Sequence, residues 1–313
     1  MGAGFRFGYQ LSQQDESSPV AVARRAEELG FDVVLVSDHV GPGISPLVAL
    51  SAIAHATERI RLGTLVLNND MRNPVQLAWE AATLDRLSLG RFELGVGAGH
   101  TPQEYGATGV RFEEPRQRKA RLMESVEVIR RLLDGEPVTY HGKHLHVDQA
   151  QIDASHQKHL PILVGGNGTA LLGHAGAHAD IIGFQGLGGT RPDGHRHAAK
   201  WDPSWLTTQI DQVRDGAGTR FGDLELSALV QVTEVTDNRA AVVRRICERV
   251  EGLTVEHADA IPYLLIGTVD EIVEKLSACH ARWGISYFVV RELNSFAPVV
   301  AALRAVKGIR GNP

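Results

Sequence analysis

Two histidines and one aspartate stand where the chain could carry out acid–base chemistry. Asp38 and His39 follow an apolar segment that ends at Ser37, and His100 follows the run Gly97-Ala98-Gly99. Imidazole exchanges a proton near neutral pH, so His39 and His100 are the candidate catalytic residues. A structural interpretation also stands, in which Asp38 caps a turn and His39 packs against its neighbours.

A glycine-rich turn, Gly165-Gly166-Asn167-Gly168, joins an apolar segment to a helical one. Unpaired N–H groups and the helix dipole make such a turn attractive to anions, which predicts a phosphate site. A tight turn that needs positive φ would explain the same glycines. The residues alone leave both interpretations open.

The pair Gly97-x-Gly99 matches part of a dinucleotide-binding fingerprint. The complete pattern needs a third glycine at position 102, where this chain has Pro102. It also needs a helix to begin there, whereas we predict a loop from Gln103 to Pro115. A nicotinamide-binding Rossmann domain is therefore disfavoured.

All of these residues follow predicted strands. Eight short apolar segments alternate with helical ones, at residues 5–11, 31–37, 62–67, 92–96, 161–164, 180–184, 224–232 and 286–290. Such alternation predicts a parallel sheet, and eight units favour an α/β fold of the (β/α)8 TIM-barrel type over an open sheet. The carboxyl ends of the strands would then converge on one mouth.

We predict one domain over residues 1–313 with two insertions. Residues 138–147 have the pattern of a small hairpin, and residues 185–205 are rich in Gly, His and Arg without an apolar period. We interpret the second insertion as an excursion over the surface. His141, His144 and His146 lie on the hairpin and are interpreted as solvated, so no metal site is expected.

Composition excludes several classes of partner. The net charge is -5 over 313 residues and no basic face stands out, which argues against nucleic acid. No run is long and apolar enough to span a membrane. Cys247 and Cys279 are the only cysteines, so neither a disulfide framework nor a zinc site is expected, and a reducing cytoplasm is the default location.

Several longer stretches carry a family resemblance. They are RRAEELGFD (Arg24–Asp32), VSDH (Val36–His39), ERIRLGTLVLNND (Glu58–Asp70), RNPVQLAWEAATLDRLSLGRFELGVGAG (Arg72–Gly99), LVGG (Leu163–Gly166) and IGTVDEIVEKL (Ile266–Leu276). Together they resemble the bacterial luciferase-like flavin and deazaflavin oxidoreductases. The Asp-His pair and GVGAG are most similar to the branch that uses coenzyme F420, a deazaflavin. The resemblance implies a luciferase-like TIM barrel with insertions and a homodimer.

The resemblance also implies a set of cofactor contacts. Asp38 would contact the deazaflavin side of the site, a non-prolyl cis peptide at Leu65-Val66 would lie behind the ring, and Asn68 would lie at its edge. The remaining implied contacts are Ala98 and Gly99, where the backbone approaches the cofactor, and Val164, Gly165 and Gly166, which hold its phosphate.

Two departures concern the substrate. Sugar-phosphate dehydrogenases of this branch resemble the chain at His39 but carry a glutamate in place of His100. They also carry a tryptophan in the stretch that is Val40-Gly41-Pro42-Gly43-Ile44 here. Both departures argue against a sugar-phosphate substrate and leave the proton donor open between His39 and His100.

We therefore expect a coenzyme F420-dependent oxidoreductase that transfers hydride between the deazaflavin and a small organic substrate. The alternative is a monooxygenase that uses reduced FMN and oxygen on the same fold. A barrel that has lost its cofactor and serves as a binding subunit is a third possibility, which the retained Asp38-His39 pair and glycine turns disfavour.

Overall fold

The computed structural model describes residues 4–11, 18–41, 43–190 and 197–310. Within these ranges the strands are β1 (Arg6–Leu11), β2 (Val33–Val36), β3 (Arg61–Thr64), β4 (Leu67–Asn68), β5 (Phe92–Gly97), β6 (Val138–His141), β7 (His146–Ala150), β8 (Ile162–Gly165), β9 (Ile181–Phe184), β10 (Leu187–Thr190), β11 (His197–Ala199), β12 (Glu225–Leu229), β13 (Val232–Val235), β14 (Leu264–Gly267) and β15 (Ile285–Val290).

The α-helices of the same ranges are α1 (Pro19–Glu28), α2 (Pro46–Ala56), α3 (Pro74–Leu87), α4 (Pro102–Thr108), α5 (Pro115–Leu133), α6 (Thr169–His178), α7 (Pro203–Ala217), α8 (Arg239–Arg249), α9 (Val255–Ala260), α10 (Val269–Trp283) and α11 (Leu293–Arg310). No helix among the described residues has the length and apolarity needed to cross a membrane.

The main sheet closes on itself. Its strand order is β3-β2-β1-β15-β12-β9-β8-β5-β4. Because β3, at one end of this order, also pairs with β5 near the other end, the sheet forms a closed ring. The pairings around the ring are parallel, for example Tyr9 with Val34 between β1 and β2. Because β3 and β4 share one position in the ring, the barrel has eight strands, which confirms the predicted (β/α)8 fold.

Alternating side chains separate the interior of the barrel from its outer layer. On β2, Val33 and Leu35 belong to a cluster inside the barrel, whereas Val34 and Val36 pack with side chains of the surrounding helices. This period of two is what a strand buried on both faces requires, and it explains why the predicted strands are continuous apolar runs.

Local signals fix the helix starts. Asn73 caps α3 by accepting the N–H groups of Val75 and Gln76, and Pro74 occupies a first-turn position that has no hydrogen-bond partner inside the helix. A capping box begins α10, with Thr268 and Glu271 bonded reciprocally.

An ionic cluster fills the barrel at the amino ends of its strands. The guanidinium of Arg6 on β1 pairs with both Glu93 on β5 and Glu225 on β12. Arg61, from a fourth strand, also pairs with Glu93. The Arg6 guanidinium also lies 4.5 Å from the ring centre of Tyr287, which is fully buried. We call these five residues the amino-end plug, because they close the end of the barrel opposite the cavity.

Three sequence-based expectations were wrong in detail. The predicted loop from Gln103 to Pro115 contains helix α4, and the surface excursion contains the paired strands β10 and β11. The single strand predicted for residues 224–232 is two strands, because the chain changes neighbours between them. Val230 donates to Val289 of β15, whereas Gln231 donates to Tyr263 beside β14. In the other predicted insertion, β6 and β7 pair as an antiparallel hairpin.

Candidate active site

A cavity of about 990 Å³ opens at the carboxyl ends of the barrel strands. Ten of the eleven predicted site residues line it: Asp38, His39, Leu65, Val66, Asn68, Ala98, Gly99, His100, Gly165 and Gly166. Val164 does not, because its side chain faces the surrounding helices and packs in the outer core. The strand ends therefore converge as the fold prediction requires.

Asp38, just beyond β2, is buried and joins two neighbouring strand ends. Its carboxylate accepts the backbone N–H of Asn68 at 2.8 Å, and it pairs with Arg72, whose Nη2 donates at 3.0 Å. Arg72 balances the charge of the carboxylate and holds it in a fork-shaped pair. Asp38 thus orients the segment that carries Asn68.

His39 is paired with a buried carboxylate that the sequence analysis did not select. Its Nδ1 lies 2.7 Å from Oε1 of Glu104, in the first turn of α4. A carboxylate at this distance favours the tautomer with the proton on Nδ1, which leaves Nε2 as the nitrogen for a ligand. The rings of His39 and His100 meet edge to face with centres 5.9 Å apart. Both predicted histidines thus belong to one cluster.

The side-chain amide nitrogen of Asn68 is unused as a donor. Its Oδ1 accepts the N–H of Asp70 at 3.1 Å and the hydroxyl of Tyr105 at 3.2 Å. Burial, helped by Asp70, raises the pKa of Tyr105 to about 12, so that hydroxyl keeps its proton and donates. The buried Nδ2 of Asn68 has no hydrogen-bond partner among the described residues. A buried donor without a partner is costly, and a polar ligand in the cavity would satisfy it.

The Leu65-Val66 peptide is cis, as the family resemblance implied. Val66 reaches the cavity through a gap between glycines on neighbouring strands. A Cβ added at Gly97 would lie 2.6 Å from Val66 Cγ2, and one added at Gly95 or Gly165 would lie 3.3 or 3.2 Å from Cγ1. These glycines make room for Val66 as part of the cavity wall.

The glycine turn at the end of β8 forms a cationic corner of the cavity. Gly166 has φ +155° and Gly168 has φ +98°, and Gly168 is the N-cap of the ten-residue helix α6. Lys119 donates its Nζ to the carbonyl of Asn167 at 2.7 Å, and burial together with Arg118 lowers the pKa of Lys119. The helix N-terminus and two cations suit a bound phosphate.

The residues present fit a cofactor made of a flat polar ring and a phosphate. Val66 and the backbone from Ala98 to Gly99 would supply a wall for such a ring, and the amide nitrogen of Asn68 would supply a donor beside it. The N-terminus of α6 with Lys119 would supply a site for the anion. A volume near 1,000 Å³ lies at the large end of the roughly 300–1,000 Å³ range of ligand pockets, which leaves room for a second molecule.

Comparison with known proteins identifies the family of the chain. Residues 5–246 match the model of the luciferase-like monooxygenases. The chain belongs to this luciferase-like family. It is also 36% identical, over 252 residues, to the F420-dependent glucose-6-phosphate dehydrogenase of Nakamurella multipartita, an alignment that covers 76% of this chain and 70% of that protein.

Solved structures agree on the luciferase-like fold. The coenzyme F420-dependent tetrahydromethanopterin reductase of Methanopyrus kandleri superposes with a TM-score of 0.73 at 21% identity, covering 96% of this chain and 97% of that one. An F420-dependent secondary alcohol dehydrogenase, in complex with an F420-acetone adduct, gives 0.75 at 22% identity, covering 96% and 99%.

Sequence reasoning missed three side chains of this luciferase-like site. Glu104 lay inside a predicted loop, although Thr101-Pro102 before it is an N-cap candidate followed by a first-turn proline, a signal that could have revealed α4. Arg118 and Lys119 lie on the long helix α5, and no local pattern distinguishes them from basic residues that face solvent.

Proposed function

We propose that this cavity holds coenzyme F420 and a small organic substrate together. The protein is an F420-dependent oxidoreductase that transfers hydride between the deazaflavin and that substrate. Val66, Ala98 and Gly99 would hold the ring, Asn68 its polar edge, and the α6 N-terminus with Lys119 its phosphate. The observation that carries this assignment is the buried, unused donor of Asn68 in the same cavity as the cationic corner.

Coenzyme F420, when bound, supplies the carbon that accepts or donates hydride. The chain supplies orientation and a proton. Hydride transfer to a carbonyl or an activated double bond leaves a negative charge that needs a proton, and His39 can deliver one from Nε2. Glu104 contacts Nδ1 and fixes the direction of the ring.

His100 has a different place in this scheme. Its ring meets that of His39 edge to face and lines the cavity, so it limits how the His39 ring can turn. The contact with Glu104 holds the His39 ring in one direction at the cavity, and we therefore assign the proton to His39.

The cofactor is tested by separate titrations of the purified protein with F420 and with FMN, followed by cofactor fluorescence. We expect tight F420 binding and weak FMN binding. Gly166→Val is the matched variant, because it changes the proposed phosphate turn only. The opposite preference would favour oxygen-dependent chemistry with reduced FMN, and binding of neither cofactor by folded protein would favour a cofactor-free barrel.

We further propose a homodimer in the cytoplasm. Helices α2 and α3 pack on each other and carry exposed apolar side chains, among them Val48 at 71% and Trp79 at 59% exposure. Covering such side chains favours association. Cys247 and Cys279 are free thiols, which suits a reducing compartment. Sedimentation equilibrium on the parent and on Trp79→Gln tests the surface, with dissociation expected only in the variant.

A further inference from the structure

Arg291 follows β15 and lines the cavity far from the cationic corner at α6. Its Nε donates to Oε1 of Gln10 at 2.8 Å, and its Nη1 lies 3.4 Å from Oε1 of Gln231. Gln10 is itself buried, and its Nε2 lies 3.4 Å from the carbonyl of Leu65. The guanidinium is therefore oriented by amide groups that are in turn held in place.

The charge of Arg291 is not balanced by an acidic side chain among the described residues. Its two hydrogen-bond partners in the described part of the chain are neutral amides, whereas Arg72, another arginine of the site, pairs with Asp38. Arg118 donates to backbone carbonyl groups, among them those of Ala98 and Gly99. Gln10 and Gln231 accept from Nε and from one N–H of Nη1 of Arg291. The remaining N–H groups of the planar guanidinium are available to bind an anion.

The ring order separates Arg291 from the phosphate corner. Between β15 and β8, the strand that leads to the glycine turn and α6, lie β12 and β9, so these two strands stand three positions apart in a ring of eight. Arg118 bonds the carbonyl groups just beyond β5, on the opposite side of the mouth. A cofactor phosphate at α6 thus leaves Arg291 for the other molecule in the cavity.

We propose that Arg291, held by Gln10 and Gln231, binds an anionic group of the substrate. The substrate class would be a reducible or oxidisable organic molecule that carries a carboxylate or a phosphate away from its reacting carbon. This inference rests on the proposed placement of F420, because that placement assigns the α6 corner to the cofactor.

The test uses 4-fluorobenzoate and 4-fluorobenzamide, which match in size and differ in charge. Their binding is followed by ¹⁹F NMR, with and without bound F420. We expect the parent to bind the benzoate about tenfold more tightly than the benzamide, the value of one charge-assisted pair. Arg291→Gln should abolish this preference and leave F420 affinity unchanged, and Arg291→Lys should retain part of it. Arg25→Gln, which removes the same charge from an exposed position on α1, should keep the full preference.

Three results would overturn the inference: no preference in the parent, a preference that survives in Arg291→Gln, or a loss of F420 affinity in that variant. The last would mean that Arg291 serves the cofactor. Failure of the cofactor assignment is seen separately, as absence of F420 binding by the parent. The benzoate preference of the protein without F420 would then still decide whether Arg291 forms an anion site.

Discussion

Val66 packs closely against Gly97, which makes Gly97→Ala an informative substitution. The added methyl would lie 2.6 Å from Val66 Cγ2, whereas unbonded carbon atoms normally approach to about 3.5–4.0 Å. Val66 must therefore shift by about 1 Å, and Gly95 and Gly165 border it closely on the neighbouring strands. The remaining direction is into the cavity, where the ring is proposed to bind.

The expected cost follows from overpacking, which typically amounts to about 1–3 kcal/mol. If the displaced side chain occupies cofactor space, the same energy weakens F420 binding by about 5- to 150-fold. Fluorescence titration gives the dissociation constant, and urea denaturation gives the free energy of unfolding.

A second substitution, at Val66, removes the clash that is expected to weaken F420 binding in Gly97→Ala. Val66→Ala deletes the clashing methyls, so the double variant should bind F420 better than Gly97→Ala alone, with a coupling of at least about 1 kcal/mol. Gly189→Ala is the control, because it also lines the cavity and its added methyl would meet no described atom within 4 Å. Parental affinity and stability in Gly97→Ala, or no recovery in the double variant, would refute this account of the glycine.

Four other substitutions have definite expected outcomes. His39→Gln and Glu104→Gln should each slow the chemical step while F420 affinity stays at the parental value; stopped-flow rates that match the parent's would remove the pair from the mechanism. Gly166→Val should severely reduce F420 affinity, because φ is +155° and the new Cβ would lie 2.7 Å from Leu171. Circular dichroism should show that the fold is retained. An F420 affinity equal to the parent's would refute the phosphate assignment. Burial and His178 lower the pKa of His174 from 6.5 to about 4, so its neutral form favours folding above pH 6.5 and that stability is lost as the pH falls towards 4. Between these values the parent should lose about 2 kcal/mol more unfolding free energy than His174→Gln, and parallel curves would contradict this assignment.

The barrel was predictable because each strand is a continuous apolar run with a glycine, proline or capping residue nearby. Both faces of such strands are buried, so one composition serves the whole segment. That same uniformity hid the change of partner near Val230, since apolar residues continue while the chain leaves one neighbour for another. Helix α4 was not predicted because it has only seven residues, among them Gly106. It is stabilised by burial of Glu104 and Tyr105 rather than by its own sequence pattern.

The site was predictable where a residue type is tied to a strand end. Asp38, His39, Asn68 and the glycine turns all follow strands, and closure of the barrel brings them together. Partners that come from helices were not predictable in this way. Glu104 and Lys119 reach the cavity because of how their helices lie on the barrel, and that orientation depends on long-range packing.

The amino-end plug has a consequence for the order of events in turnover. Arg6 and its partners fill the barrel at the amino ends of the strands, so cofactor and substrate both enter and leave at the carboxyl ends. When two molecules stack in a pocket with a common entrance, the one held deeper must arrive first and leave last. If the deazaflavin ring lies against Val66 with the substrate between it and the mouth, the deazaflavin would load before each substrate, and its oxidised and reduced forms would exchange only after product has left.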